Sequence, residues 1–152
     1  MTSNIEQLLE FSRAVRRSTI ERLAKVPPAK ENWQISSDSM SFADIAAHLI
    51  DTDEWLIKKI KKKKLKPILG KAGSVEIGKH TDFIALIENL KISGERRADF
   101  IGKLNETDLQ EKIFDERFGK EVFVWWIFVR GNLDHEIHHR GQISAYLRAI
   151  ET

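Results

Sequence analysis

Three of the five histidines in this chain of 152 residues lie within five positions, at His135, His138 and His139. His135 and His139 are four residues apart, so on an α-helix, at about 100° per residue, both side chains project from the same face. Two imidazoles at that spacing can bind one divalent ion from a single helix. This segment therefore predicts a metal site that needs a further ligand from elsewhere in the chain.

His48 is predicted to be the third ligand. It lies in a segment of helical periodicity, between the apolar residues Ala47 and Leu49, where an imidazole without a partner would be unfavourable. Taken alone, a buried histidine is more often hydrogen-bonded within the core, and that alternative stays open for His48. Together with the pair near the C-terminus, it favours a site of three imidazoles, which suits Zn, Ni, Cu and Fe.

The choice between His138 and His139 depends on which helical face continues. His138 is three residues after His135 and is an alternative ligand. We favour His139, because the stripe that it shares with His135 continues into Gln142 and Tyr146. We then expect His138 to lie at the surface or to contact a ligating residue without binding the metal itself. The candidates for orienting the ligands or a substrate are Asp51, Arg140, Gln142 and Tyr146.

The letters His135-Glu136-x-x-His139 also match the zinc-metalloprotease pattern, in which Glu136 would be the general base. The third ligand of such proteases follows the motif along the chain. A metzincin needs a histidine where this chain has Ala145, and Glu151 is the sole carboxylate side chain after His139. The protease interpretation is therefore not favoured.

Composition restricts the chemistry further. With 41% hydrophobic and 32% charged residues, the chain is predicted to be one globular domain over residues 1–152. It contains no cysteine, so any thiol chemistry requires a bound small molecule. The N-terminal residues lack the pattern of a secretory signal, and no apolar run is long enough to span a bilayer. We expect a cytoplasmic protein without a membrane partner.

The lysine-rich stretch 58–66 raises nucleic-acid binding as a competing function. Lysine and arginine total 25 against 23 acidic residues, so the overall charge is nearly balanced. No aromatic residue interleaves with the lysines, and no recognition motif is visible. The stretch is predicted to be the solvated end of a helix, where cations are favourable.

Hydrophobic periodicity predicts four long amphipathic helices. Their expected starts are at Ser3 or Asn4, at Ser41, at His80 or Thr81, and near Val122. The first helix should end before Pro27, and Pro67 and Gly70 should break the second. A short helical turn capped by Thr107 and an extended turn over residues 113–122 are expected before the last helix.

The run 122–129, Val-Phe-Val-Trp-Trp-Ile-Phe-Val, is ambiguous because β-branched and aromatic residues also suit a buried strand. We favour a helix over about 122–150, since the apolar period continues beyond the run. Four amphipathic helices with long connections predict an all-α four-helix bundle. That fold commonly builds metal sites from side chains of facing helices.

The pattern resembles the DinB-like (damage-inducible B, or YfiT-like) superfamily over essentially the whole chain. Three features carry the resemblance: Ala46-Ala47-His48-Leu49-Ile50, Trp55 seven residues after that histidine, and His135-Glu136-x-x-His139-Arg140-Gly141-Gln142. Trp33 in the first long loop agrees with it.

The resemblance implies an up-down-down-up bundle, frequently a homodimer, with a divalent metal, often Ni or Zn, held by His48, His135 and His139. Characterised relatives include S-transferases that use bacillithiol or mycothiol and a mycothiol-dependent maleylpyruvate isomerase. We therefore expect a small-molecule substrate and a low-molecular-weight thiol activated at the metal. The alternatives are a metal-dependent hydrolase that activates water and a non-catalytic, dimeric interaction or damage-response module.

Overall fold

The structure is a computed structural model that describes residues 3–151. Four long helices account for most of it, together with two short helical turns, a π-helical segment and a two-stranded antiparallel hairpin. In chain order the elements are α1 (Asn4–Leu23), α2 (Phe42–Lys62), α3 (His80–Gly102), α4 (Glu106–Leu109), β1 (Lys112–Asp115), β2 (Lys120–Phe123), α5 (Val124–Trp126), the π-helix (Ile127–Leu133) and α6 (Asp134–Ile150). The all-α fold class is confirmed.

Two of the long helices begin at the predicted serine caps. The hydroxyl of Ser3 accepts a hydrogen bond from the backbone of Glu6, whose carboxylate accepts one from the backbone of Ser3. Ser41 and Asp44 form the same reciprocal pair at the start of α2. Because each pair satisfies two backbone donors that lack helical partners, these starts are set locally by sequence.

The end of α2 differs from the prediction, which placed the break at Pro67 and Gly70. The helix ends at Lys62, and Lys63 adopts a left-handed conformation with φ of 66°. A left-handed residue satisfies carbonyls at the end of a helix and turns the chain away. The loop that follows is then held against α2, where the indole Nε1 of Trp55 donates to the carbonyl of Lys66 at 2.6 Å.

The ambiguous run 122–129 is divided between two kinds of structure. Val122 pairs with Ile113 and Phe123 with Lys112 in the β1–β2 hairpin, so the predicted helical start near Val122 was wrong by two residues. The extended turn expected over 113–122 is this hairpin. The helix begins at Val124, immediately after the last strand pair. The first two residues of the run therefore pair across the hairpin, and the remaining residues are helical.

The short turn α4 is capped by Asn105 and not by Thr107. The side chain of Asn105 accepts a hydrogen bond from the backbone of Asp108, and the Asp108 carboxylate accepts one from the backbone of Asn105. Thr107 was predicted as the cap, but asparagine two residues earlier satisfies the same backbone groups.

The four long helices enclose a core that is divided by a polar layer. α1 and α2 each pack against both α3 and α6. One apolar cluster includes Val15 and Trp55, and the other includes Leu23 and Leu49. Between these levels each helix contributes one buried charged residue: Arg16 from α1, Asp53 from α2, Arg97 from α3 and Glu136 from α6.

These four charges form a closed network. Arg97 Nη1 lies 2.7 Å from Glu136 Oε1 and 3.0 Å from Asp53 Oδ1. Arg16 lies 2.8 Å from the same two carboxylates. Arg97 is fully buried, and the two carboxylates compensate its charge. Burial alone would raise the pKa of Glu136, but Arg97 and Arg16 lower it to about 2.

The lysine-rich end of α2 is only partly solvated. Lys59 is completely buried, and its ammonium donates to the carbonyl of Phe114 in β1 at 2.7 Å. This contact ties the hairpin to α2 next to the opening of the bundle. Within residues 3–151, no helix combines the length and the apolar character needed to cross a lipid bilayer.

Candidate metal centre

His48 of α2 and the pair His135 and His139 of α6 converge in the folded chain, although 87 residues separate the first two. Nε2 of His135 lies 3.2 Å from Nε2 of His48 and 3.0 Å from Nε2 of His139. One ligand atom of each residue lies within 4.8 Å of the other two. The structure therefore brings together the three imidazoles that were predicted to act together.

The spacing of these nitrogens fits a divalent ion. Nitrogen ligands about 2.0–2.1 Å from a metal lie roughly 2.9 Å apart at octahedral angles and roughly 3.4 Å apart at tetrahedral angles. The two Nε2 separations around His135, 3.0 and 3.2 Å, fall within that range. Imidazole nitrogens are also the ligand type that Zn and Ni favour. The spacing of the nitrogens around His135 thus suits a bound metal ion.

The π-helical segment ends immediately before the two histidines of α6. The backbone amide of Asp134 donates to the carbonyl of Val129, five residues earlier, which is the spacing of a π-helix. Such segments occur frequently at functional sites, because the wider turn changes which residues face inward. Gly131 and Asn132 of this segment line the cavity beside the histidines.

Burial keeps all three imidazoles neutral. Desolvation, assisted by the neighbouring histidines, lowers the pKa of His135 to about 3. The pKa of His139 falls to about 4, again chiefly by burial, although its bond to Gln142 acts in the opposite direction. Burial also lowers the pKa of His48, and the charge of Asp51 partly opposes it. Neutral imidazole is the form that binds metal, so the site is ready for an ion at neutral pH.

Gln142 orients one of the ligands. The Nδ1–H of His139 donates to Oε1 of Gln142 at 2.7 Å. Because the proton is then on Nδ1, the lone pair of Nε2 points toward the other two imidazoles. Such outer partners fix the tautomer and the rotation of a ligating histidine.

Replacing Gln142 with alanine is expected to lower the affinity for Zn²⁺ or Ni²⁺ by about 10–100-fold, the usual cost of losing such a partner. Competition against a metal-binding dye measures this. Gln142→Glu keeps an acceptor at the same position and should retain most of the affinity. Equal affinities in wild type and Gln142→Ala would show that the hydrogen bond does not orient His139.

Metal affinity is expected to change little between pH 7 and pH 5. Three histidines with an ordinary pKa near 6.5 would lose affinity by about four orders of magnitude over that interval, because protons compete for each nitrogen. The pKa values of about 3 for His135 and about 4 for His139 place that competition at lower pH. Calorimetric titration at both pH values should show a loss of less than about tenfold. A loss of several orders of magnitude would contradict it.

A cavity of about 290 Å³ opens beside the three imidazoles. Its wall is mainly apolar, with the polar side chains of Thr52, Asn132 and Arg117. Among the described residues that line it, none is acidic. The lining residues are Met40, His48, Thr52, Trp55, Pro67, Ile68, Leu69, Gly70, Arg117, Gly131, Asn132, His135 and His139.

The loop after α2 closes one side of this cavity at Gly70. A Cβ on Gly70 would lie 2.6 Å from the sulfur of Met40 and 3.2 Å from the ring of His48. A larger residue at position 70 would therefore require the side chain of Met40 and the ring of His48 to shift. The break predicted near Gly70 thus marks the place where the loop meets the site.

The remaining predicted site residues lie outside this cavity. Asp51 lines a neighbouring groove that also includes His48. Tyr146 is in the apolar core, where its ring packs edge-on against Trp33 with centroids 5.3 Å apart. Arg140 is half-buried on α6 and does not line the cavity.

The two residues that neighbour the ligands in the motif, His138 and Glu136, also lie outside the cluster of three imidazoles. His138 is exposed and is not part of the cluster of three imidazoles. Glu136 accepts hydrogen bonds from Arg16, Arg97 and Thr19 in the buried network. It therefore cannot act as the general base that the protease pattern requires, since that base must reach the bound water.

Arg117 is a charged residue of the cavity wall that was not predicted from the sequence. It lies in the turn between β1 and β2, and its charge contributes to the lowered pKa of His135. Its approach to α2 and to the π-helix depends on how the hairpin folds back. The pattern Asp115-x-Arg117 was the available local signal, because a short polar turn often pairs such residues.

Comparisons with known proteins agree with this architecture. The family model described as the DinB superfamily matches residues 12–143. A solved structure of a DinB-like protein from Bacillus subtilis superimposes with a TM-score of 0.72 and 20% sequence identity, covering 96% of this chain and 92% of that chain. At that identity the likeness concerns the fold. Among curated proteins, no sequence matches this chain.

Proposed function

This chain belongs to the DinB superfamily, and from that premise we propose that it is a metal-dependent enzyme of the thiol S-transferase type. Its cofactor would be Ni or Zn, held by His48, His135 and His139. Its substrates would be a low-molecular-weight thiol and a small electrophile, joined through the thiol sulfur.

The observation that carries the proposal is a set of three neutral ligands beside a cavity whose described lining has no acidic side chain. A divalent cation on such ligands keeps its full charge and strongly favours the thiolate form of a thiol. The thiol must come from a small molecule, because the chain has no cysteine. Attack by a thiolate on an electrophile needs no protein base, which agrees with the composition of this wall.

The protein's own residues would bind and shield the two substrates. The buried ring of Trp55 and the side chain of Met40 give the cavity an apolar wall that limits the access of water to the sulfur. Thr52 and Asn132 are the neutral polar groups that can hydrogen-bond to polar atoms of a substrate. Gln142 holds His139 in the orientation that keeps its Nε2 directed at the site.

A metal-dependent hydrolase is the second candidate, because the same three ligands can activate water. Hydrolysis generally also requires a residue that transfers a proton within reach of the reacting atoms. Asp51 is a candidate for this role, since it lies about one helical turn after His48 and lines the neighbouring groove. Burial and the charge of Glu54 raise its pKa, which suits proton transfer.

The test compares thiol conjugation and ester hydrolysis by the same Ni²⁺- or Zn²⁺-loaded protein. For the transferase, we expect conjugation of bacillithiol, mycothiol or a simpler thiol to monochlorobimane that depends on metal and disappears in His48→Ala. Asp51→Asn should leave that rate nearly unchanged. Ester hydrolysis that is abolished in Asp51→Asn, with no conjugation by any thiol, would instead support the hydrolase.

If the fully loaded protein shows neither activity, the transferase proposal is overturned. The interaction-module alternative then remains for a bundle that binds metal.

A further inference from the structure

Arg117 is the one arginine or lysine among the described residues that line the cavity; the others are apolar, neutral polar or imidazole side chains. We propose that Arg117 forms an anion subsite, so that the thiol or the electrophile used by this protein carries a carboxylate or a chemically similar oxyanion. This inference rests on the proposed function, because it names the class of ligand that the same cavity accepts.

Asp115 fixes the guanidinium through two hydrogen bonds. Nε of Arg117 donates to Oδ1 of Asp115 at 3.0 Å, and Nη2 donates to Oδ2 at 2.7 Å. The Asp115 side chain is completely buried and does not line the cavity. The two-point contact therefore fixes the plane of the guanidinium while leaving its other edge available.

Two further contacts set the position of Arg117 on the wall. Nη1 donates to the carbonyl of Gly131 at 2.8 Å, and the guanidinium carbon lies 4.5 Å from the centre of the Trp55 ring. These bonds and the pair with Asp115 engage three of the five guanidinium N–H groups. One N–H on each terminal nitrogen is left, and the side chain keeps 26% of its surface exposed.

Gly131 makes this placement possible. A Cβ added at Gly131 would lie 2.6 Å from Nη2 of Arg117 and 3.1 Å from its guanidinium carbon. A side chain there would push the guanidinium off the π-helix. The absence of a side chain at Gly131 thus lets the guanidinium approach the backbone four residues before His135, so that the charge and the imidazoles line the same cavity.

A fixed guanidinium with two available donors is suited to an oxyanion, which it can bind through charge-assisted hydrogen bonds. In an apolar wall, such a charge-assisted contact contributes more than it would in water. A hydroxyl group in the same place can accept one of these hydrogen bonds but carries no charge, so its contact with the guanidinium is weaker. The cavity should therefore discriminate between an acid and the corresponding alcohol.

The experiment uses Co²⁺-loaded protein, in which binding of a thiolate is followed by its charge-transfer absorption. Mercaptoacetate, 3-mercaptopropionate and 4-mercaptobutyrate are each compared with the mercapto-alcohol of the same chain length. We expect at least one acid to bind about tenfold or more tightly than its alcohol. The double variant Asp115→Asn/Arg117→Gln removes the cation without leaving the buried carboxylate unpaired, and should abolish this preference.

Gly131→Ala is the second variant, because it keeps the charge but displaces it. We expect it to reduce the preference for the acid while metal binding is retained. A preference that survives in the double variant would arise from chelation of the metal by the carboxylate and would overturn the role of Arg117. Equal binding of acid and alcohol by the wild type would overturn the anion subsite alone. Absence of the absorption with every thiol would overturn the proposed function as well.

Discussion

Replacing His135 with alanine is expected to lower the affinity for Ni²⁺ or Zn²⁺ by on the order of a thousandfold or more, beyond the roughly 10–100-fold cost of losing an outer partner. His135 is the central ligand: its Nε2 lies 3.2 Å from that of His48 and 3.0 Å from that of His139. Without His135, only the imidazoles of His48 and His139 remain to bind the ion. Isothermal titration of metal-free protein measures the loss.

The same variant should lose the thermal stabilisation that metal confers. An ion at a hundred times its dissociation constant adds about 2.7 kcal/mol to the folded state. For a chain of this size, that corresponds to a rise in Tm of roughly 5–10 °C. His135→Ala should show almost no rise at the same metal concentration.

The matched control is His138→Ala, which removes an exposed imidazole from the adjacent turn of α6. Its ring centroid lies 5.1 Å from that of His139, but it is not in the cluster. We expect wild-type metal affinity and the full rise in Tm. If His138→Ala lost the metal while His135→Ala kept it, the assignment of ligands on α6 would be incorrect.

The convergence of the three imidazoles was predictable because each clue was local. The spacing of His135 and His139 selects one face of a helix, and His48 stands in an apolar helical segment that must face the core. The caps at Ser3 and Ser41 were equally local, since a capping box involves residues only three apart. These features need no knowledge of the tertiary arrangement.

The parts of the site that escaped prediction depend on contacts between distant elements. Arg117 reaches the cavity because the hairpin folds over α2 and because Gly131 admits its guanidinium. The π-helix has no periodicity that distinguishes it from an α-helix within seven residues. Tyr146 shares the helical stripe of His139, yet packing against Trp33 and Phe42 places it in the core.

The buried charge network explains how α6 presents its two histidines in a constant orientation. Glu136 lies between His135 and His139 along the chain, and its carboxylate binds Arg16 of α1 and Arg97 of α3. Rotation of α6 would separate these charges inside the bundle, at a large cost. The glutamate of the motif therefore acts in the packing of the helix that carries the ligands, in place of the catalytic role of the protease pattern.

Replacing Glu136 with glutamine is expected to lower the free energy of unfolding by about 3–5 kcal/mol at neutral pH, since it leaves two buried arginines facing the single carboxylate of Asp53. Urea denaturation of the metal-free variant measures this. Glu10→Gln, an exposed substitution of the same type on α1, should change stability by less than about 0.5 kcal/mol. A change below about 1 kcal/mol for Glu136→Gln would show that the network contributes little.

Lowering the pH should remove this difference in unfolding free energy between wild type and Glu136→Gln. The pKa of Glu136 is lowered from 4.5 to about 2 in the folded protein, so the unfolded chain binds this proton first as pH falls. The stability that its ionised form provides is present above pH 4.5 and is lost as pH falls through about 2. The gap in unfolding free energy between wild type and Glu136→Gln should therefore narrow continuously over that interval.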